Sequence, residues 1–111
     1  MSVKGEVKKD IDKLVEGIRK KINPEKIILF GSQAKETADR MSDIDLCVVA
    51  DVKNKEKAEK EVDLFIYSSE GLDLNRSVDL LIYTPEEWEE NLKESASFAS
   101  LINKKGVELY G

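Results

Sequence analysis

Two carboxylates, Asp43 and Asp45, lie one residue apart in an apolar stretch of this sequence. On a β-strand, side chains two residues apart project from the same face, about 7 Å apart along the backbone. Carboxylates this close repel each other unless a cation neutralises them. Because magnesium prefers oxygen ligands, the pair predicts a divalent metal site. Two cations held about 4 Å apart would activate an attacking oxygen and stabilise a leaving one, which is the apparatus for displacement at phosphorus.

A glycine and a serine, Gly31 and Ser32, follow the apolar run Ile27–Phe30, and ten residues separate Ser32 from Asp43. Glycine after a strand lets the backbone approach a ligand closely. A serine that begins a helix presents free N–H groups and a hydroxyl to phosphate oxygens. We expect strand pairing to bring this turn beside the carboxylates, where it would hold a triphosphate together with the metal. Taken alone, the Gly-Ser pair is equally typical of an ordinary strand-ending turn.

A third carboxylate is expected on a neighbouring strand, and Asp79 is the best candidate. It lies within the apolar segment Val78–Ile82, where an acid is costly to bury without a partner. A metal-bound Asp79 beside an acceptor hydroxyl could ligate a cation and take the proton. Two alternatives remain open: Asp79 could face water from an edge strand, or Asp73, in a loop-like context, could be the third acid.

Hydrophobic periodicity predicts the elements that must position these residues. An apolar stripe at helical spacing marks a first helix, and alternating runs mark short strands. The predicted helices comprise one along Val7–Ile22, one over Lys53–Ser69, and one or two between Thr84 and Lys105; the predicted strands are Lys26–Phe30, Asp43–Ala50, Ser77–Tyr83 and Val107–Tyr110. We therefore expect an α/β (α+β) fold, a small mixed β-sheet flanked by helices, as a single domain over residues 1–111.

Composition excludes several function classes. The sequence has no histidine and one cysteine, Cys47, which excludes an internal disulfide, a histidine base and a Cys/His zinc cage. The formal net charge of −5 disfavours bulk nucleic acid as a partner. The apolar runs are too short to span a bilayer, and no signal-peptide pattern opens the chain, so we expect a cytoplasmic protein without a membrane partner.

The arrangement Gly31-Ser32, ten residues, Asp43-Ile44-Asp45 and a distal Asp79 resembles the nucleotidyltransferases of the DNA polymerase β superfamily. It is most similar to their minimal nucleotidyltransferase (MNT) branch. The flanking sequences 27–35, 84–88 and 105–110 are also similar, so the resemblance covers nearly the whole chain. It implies the polymerase β-like nucleotidyltransferase fold.

The resemblance also implies an enzyme that depends on Mg²⁺ and uses a nucleoside triphosphate, commonly ATP. By that similarity Asp43 and Asp45 are metal ligands, Asp79 is the third ligand and the base, and Gly31 and Ser32 bind the triphosphate. The family often has arginine directly after the Gly-Ser pair, whereas this sequence has Gln33. Lys35 is the candidate for the missing positive charge.

Proteins of the MNT branch often pair with an all-helical HEPN protein in toxin–antitoxin modules, in which the MNT protein is the antitoxin and in some systems adenylylates the toxin. The expected partner is therefore a HEPN-type protein, and a homo-oligomer is a further possibility, because a chain of 111 residues has little room for an acceptor pocket of its own. Two alternatives stay open: a non-catalytic antitoxin that covers a helical partner, and the catalytic subunit of a two-component small-molecule nucleotidyltransferase.

Overall fold

The computed structural model describes residues 5–31, 44–66 and 78–111, with side chains from residue 8 onward. These ranges contain four helices and four strands. In chain order the elements are α1 (Gly5–Ile22), β1 (Lys26–Phe30), β2 (Ile44–Val49), α2 (Lys55–Ile66), β3 (Val78–Tyr83), α3 (Pro85–Leu92), α4 (Phe98–Lys105) and β4 (Val107–Tyr110). This is the predicted α+β class.

The described strands form one mixed sheet in the order β3-β2-β1-β4. β1 pairs with β2 and with β4 in the antiparallel sense, whereas β2 and β3 run parallel. The short turn between α1 and β1 begins at Asn23, which adopts a positive φ of 46°. The small mixed sheet expected from the alternating apolar runs is therefore confirmed, with β3 and β4 at its two edges.

One face of the sheet carries the main core. Alternate residues of β2, namely Ile44, Leu46 and Val48, are fully buried there. α1 and α2 cover this face, because each presents an apolar stripe at helical spacing. The α1 stripe is Ile11, Leu14 and Ile18, and the α2 stripe is Ala58, Val62 and Ile66.

The opposite face carries a smaller cluster beneath α3 and α4. Cys47 and Val49 of β2 pack there against Trp88 of α3 and Ile102 of α4. The Trp88 side chain is 5% exposed and meets the ring of Tyr83 edge-on, with ring centroids 5.4 Å apart. Trp88 is thus a core anchor, and the predicted division of β2 into two faces is confirmed.

Capping explains where several helices begin. α2 begins at Lys55 rather than at the predicted Lys53, because the Asn54 side chain accepts a hydrogen bond from the Lys57 backbone N–H at 3.1 Å and so acts as the N-cap. Thr84 forms a capping box with Glu87 at the start of α3. Ser97 caps α4 in the same way by accepting from the Ser100 N–H, which separates the predicted C-terminal helical region into two helices.

Several predicted boundaries fall on residues that the structure does not describe. These are the end of α2 beyond Ile66 with its closing Gly71, the first residue of the third strand at Ser77, and Asp43 at the start of the second strand. Among the described residues, no helix has the length and apolar character required to cross a bilayer.

Close packing between α1 and α2 depends on Gly17. A Cβ at this position would overlap the ring of Phe65 on α2. We expect Gly17→Ala to lower the free energy of unfolding by about 1 kcal/mol, because the overlap outweighs the gain in helix propensity. In a Phe65→Ala background the overlap is gone, so the same substitution should raise it by about 1 kcal/mol. Denaturant unfolding of the four proteins measures this; an effect of the same sign in both backgrounds would contradict the packing argument.

Candidate active site

Strand register places two of the predicted acids side by side. In the parallel pairing of β2 with β3, Asp45 is the register partner of Asp79. Neighbouring strands lie about 4.8 Å apart, and register partners project from the same face. Asp45 is half-buried and Asp79, on the edge strand, is exposed. The two carboxylates therefore share one face at the beginning of both strands, beyond the cluster that α3 and α4 cover.

The end of β1 meets the same carboxylate pair. Phe30, the last residue of β1, is the antiparallel register partner of Asp45, and Gly31 follows with a φ of 75°. A Cβ at Gly31 would overlap the Asp45 carboxylate oxygen Oδ2. Glycine is thus required here both by its backbone conformation and by the space that the carboxylate occupies. The expectation that strand pairing brings the glycine turn to the acids is met at Gly31.

Other predicted site residues lie outside the described part of the chain. These are Asp43, Ser32 and Lys35, together with Gln33 and the alternative acid Asp73. Across residues 5–31, 44–66 and 78–111, no three or more His, Cys, Asp or Glu side chains form a group that could hold a metal ion. The described residues bring together two acids and the glycine, and the roles of all six predicted site residues remain predictions.

The chemistry of the described donors suits a hard divalent cation. Both acids offer carboxylate oxygens, which are ligands for Mg²⁺ rather than for soft metals. Because Gly31 has no side chain, the Asp45 carboxylate oxygen Oδ2 can lie close to the Gly31 backbone. The two described acids therefore suit a hard divalent cation by the chemistry of their oxygen donors, and Asp43 is the predicted third carboxylate.

Cys47 shares the face of the carboxylates but belongs to the packing. Its side chain is fully buried within the cluster beneath α3 and α4. Burial raises the pKa of the Cys47 thiol to about 12, because a thiolate is poorly solvated in the apolar interior. A thiol held neutral is neither a nucleophile nor a metal ligand.

Sequence reasoning did not single out a cavity that borders this site. It measures about 150 Å³ and lies between the end of β1 and α4, with Phe30, Gly31, Phe98 and Leu101 in its wall. Apolar residues three apart on a short helix are typical of a core stripe, so the sequence held no signal for it. A larger depression of about 750 Å³ lies beside α4 and shares Phe98, Leu101 and Lys105 with this cavity, but it has neither acid in its lining.

The buried thiol gives a test of this packing. At pH 8 we expect a thiol reagent to modify Cys47 about a thousandfold more slowly in the folded chain than in denaturant, because the pKa is three units higher in the fold. The folded chain also holds the Cys47 thiol proton more tightly than the unfolded chain does. The contribution of Cys47 to the free energy of unfolding should therefore be constant below pH 9.0 and fall as the pH rises from 9.0 towards about 12. Rapid stoichiometric labelling of the native chain, with Cys47→Ala as the blank, would contradict a packed thiol.

Comparison with known families and curated proteins gives two results. The model of the family described as "Nucleotidyltransferase domain" matches residues 11–109, which include every described strand except the last residue of β4. Comparison with curated proteins gave no significant match. The family model covers most of the chain, and the mixed sheet with its helices is consistent with the fold of that family. The chain belongs to the nucleotidyltransferase domain family and is therefore a transferase of nucleotidyl groups.

Proposed function

We propose that this chain transfers a nucleoside monophosphate, AMP from ATP, to an acceptor hydroxyl in a Mg²⁺-dependent reaction. The observation that carries the proposal is the meeting of three chain segments at one point. Asp45 lies beside Asp79 in the parallel register, and the Gly31 backbone lies against the Asp45 carboxylate. Nucleotidyl transfer needs this combination, because metal ligands and a polyphosphate cradle must converge on one phosphorus.

The three acids form the proposed metal-binding set. Asp45 and Asp79 would hold magnesium together with Asp43, which lies two residues before Asp45 in the sequence. Magnesium bound there supplies a positive charge that offsets the charge developing on the phosphate oxygens. Asp45 is half-buried against Gly31, so its carboxylate would be held in place. Asp79 is exposed, so an acceptor can reach its carboxylate.

Asp79 is the proposed proton acceptor. The acceptor oxygen forms a bond to the α-phosphorus, the bond from this phosphorus to the bridging oxygen of pyrophosphate breaks, and the hydroxyl proton passes to the Asp79 carboxylate. An acid on an edge strand also fits a merely solvated side chain. The register beside Asp45 favours the catalytic role, because like charges directly opposite each other weaken strand pairing and need a compensating reason.

The triphosphate would be bound by the segment that follows β1. Gly31 at positive φ allows the backbone to turn towards the ligand without a side chain in the way. Ser32 would add its hydroxyl and backbone N–H groups, and Lys35 would add the positive charge that the family often takes from an arginine after the Gly-Ser pair. A chain with a net charge of −5 needs such local cations and metal to attract a triphosphate.

The proposed acceptor is a hydroxyl on a partner protein, and the chain would act as the MNT antitoxin of a HEPN-type helical toxin. The open edge at Asp79 supports a second molecule as acceptor, since β3 has no described neighbour on its outer side. A small all-helical protein encoded beside this chain is the first acceptor to test. Incubation with ATP and Mg²⁺ should add one AMP to its mass, and an unchanged mass with intact inhibition would favour the non-catalytic antitoxin.

The first experiment is calorimetric titration of ATP into the purified chain with and without Mg²⁺. We expect metal-dependent binding that is lost in an Asp43→Asn, Asp45→Asn double variant, because the amides remove the charge that holds the cation while keeping the side-chain shape. Asp63→Asn is the matched control, since Asp63 is an exposed acid on α2, and it should bind ATP as the parent does. Equal ATP binding by the parent and the double variant in the presence of Mg²⁺ would contradict the proposed metal site.

A second experiment tests the glycine that contacts the acid pair. We expect Gly31→Ala to weaken Mg²⁺-dependent ATP binding about tenfold or more, because its Cβ would displace the Asp45 carboxylate and its φ strains the backbone. Asn23→Ala is the matched control, because it places alanine at a positive φ at the opposite end of β1. It should lower thermal stability and leave binding unchanged; comparable binding losses in both variants would show that strain alone is responsible.

A further inference from the structure

The cavity beside Gly31 has a defined shape and wall. It is a recess of about 150 Å³ between the end of β1 and the inner side of α4. Its wall is mostly apolar. The one charged side chain in the wall is that of Lys105, the last residue of α4. The lining residues are Phe30, Gly31, Phe98, Leu101, Ile102, Lys105 and Gly106.

The recess adjoins the proposed metal site at Gly31. Gly31 lines the recess and is also the residue whose missing Cβ leaves room for the Asp45 carboxylate. Phe30, the next residue of the wall, is the register partner of Asp45. A ligand whose phosphates lie at Gly31 and the acids would therefore extend its other end directly into this recess.

The rim of the recess exposes apolar surface. The Phe98 side chain is 52% exposed and Leu101 is 47% exposed. Of the three large exposed apolar side chains in the described residues, these two border the recess, and the third, Leu64, lies on α2. Phe98 is held edge-on to Phe30, with ring centroids 5.7 Å apart and an interplanar angle of 87°. The Phe98 side chain thus contacts Phe30 and is still about half exposed.

We propose that the heterocyclic base of the nucleoside triphosphate binds in this recess, against the Phe98 ring and the Leu101 side chain. The proposal rests on the function proposed above and extends it to the part of the substrate that the acids do not touch. Aromatic and apolar side chains provide a stacking surface for any base, because every base has a π-face. Lys105 provides a donor at the edge of the recess, where it can reach a ring nitrogen or the ribose.

The size of the recess favours a single ring system over other occupants. Pockets that enclose whole drug-sized ligands measure about 300–1,000 Å³, whereas this partly open recess of about 150 Å³ has room for one flat ring system with the rest of the ligand outside it. A partner helix presents a convex surface and would cover the rim without filling the recess. A flat heterocycle attached to a phosphate chain matches both the volume and the neighbouring polar site.

The test compares two ligands that differ by the nucleoside. Inorganic tripolyphosphate with Mg²⁺ probes the acids and the glycine turn alone, and ATP with Mg²⁺ probes the recess as well. We expect the parent chain to bind ATP more tightly than tripolyphosphate by about tenfold, the gain typical of one stacked base. Phe98→Ala should remove most of this difference and leave tripolyphosphate binding unchanged, whereas Phe98→Tyr, which keeps the ring, should retain it.

Two further variants keep the test independent of folding. Leu101→Ala removes the second rim side chain without touching the Phe30–Phe98 ring contact, and it should weaken ATP binding alone. Leu64→Ala is the matched control for loss of an exposed apolar side chain, and it should change neither ligand. Thermal unfolding of each variant verifies that the chain is folded at the titration temperature.

Each outcome separates this inference from the proposed function. If ATP and tripolyphosphate bind equally in the parent, and the rim variants change nothing, the base does not use the recess although the metal site stands. If neither ligand binds with Mg²⁺, the proposed function fails and the inference fails with it. If the rim variants leave ATP binding intact but dissociate a dimer in sedimentation experiments, the rim is a protein interface and the inference is overturned.

Discussion

The parallel pairing of β2 with β3 is the constraint on which the rest of this structure depends. It places Asp45 opposite Asp79, and like charges opposite each other in a sheet oppose pairing. The residues that follow in both strands supply the compensating attraction, because Cys47 pairs with Leu81 and Val49 with Tyr83 on the same face. A slip of β3 by one residue would turn Asp79 towards the core beneath α1 and α2, so the buried pairs also fix where Asp79 lies.

One face of the sheet carries the main hydrophobic core, and the other face carries the carboxylates of the proposed site. α1 and α2 cover one face along its length, and Ile44, Leu46 and Val48 are fully buried there. α3 and α4 pack on the other face against Cys47 and Val49 of β2. Asp45 and Asp79 lie on that same face at the beginning of their strands. Carboxylates need water or a cation nearby, so a complete second layer over Asp45 and Asp79 would be costly.

Local patterns predicted the elements well because each pattern reflects burial of that element alone. The alternating apolar runs predicted the strands, and the predicted helical region from Thr84 agrees with α3, for which Thr84 is the N-cap. Register and long-range packing could not be predicted in the same way. The parallel sense of β2 and β3 depends on the connection through α2, and the contact of Phe30 with Phe98 joins residues far apart in sequence. The sequence spacing therefore indicated that the glycine turn and the acids lie near one another, whereas it gave no sign of the recess beside them.

The packing of α4 on β1 links the recess to the sheet that carries the acids. Gly106 ends α4, its N–H donates to the Ile102 carbonyl at 2.7 Å, and a Cβ at this position would overlap the Ile28 side chain. The chain can therefore pass from α4 into β4 directly against β1. This close approach fixes the distance between the α4 side chains and the Gly31 turn. The elements that would bind the base and those that would bind the phosphates thus share one strand, so the alignment of the proposed substrate would depend on the packing of α4 against β1.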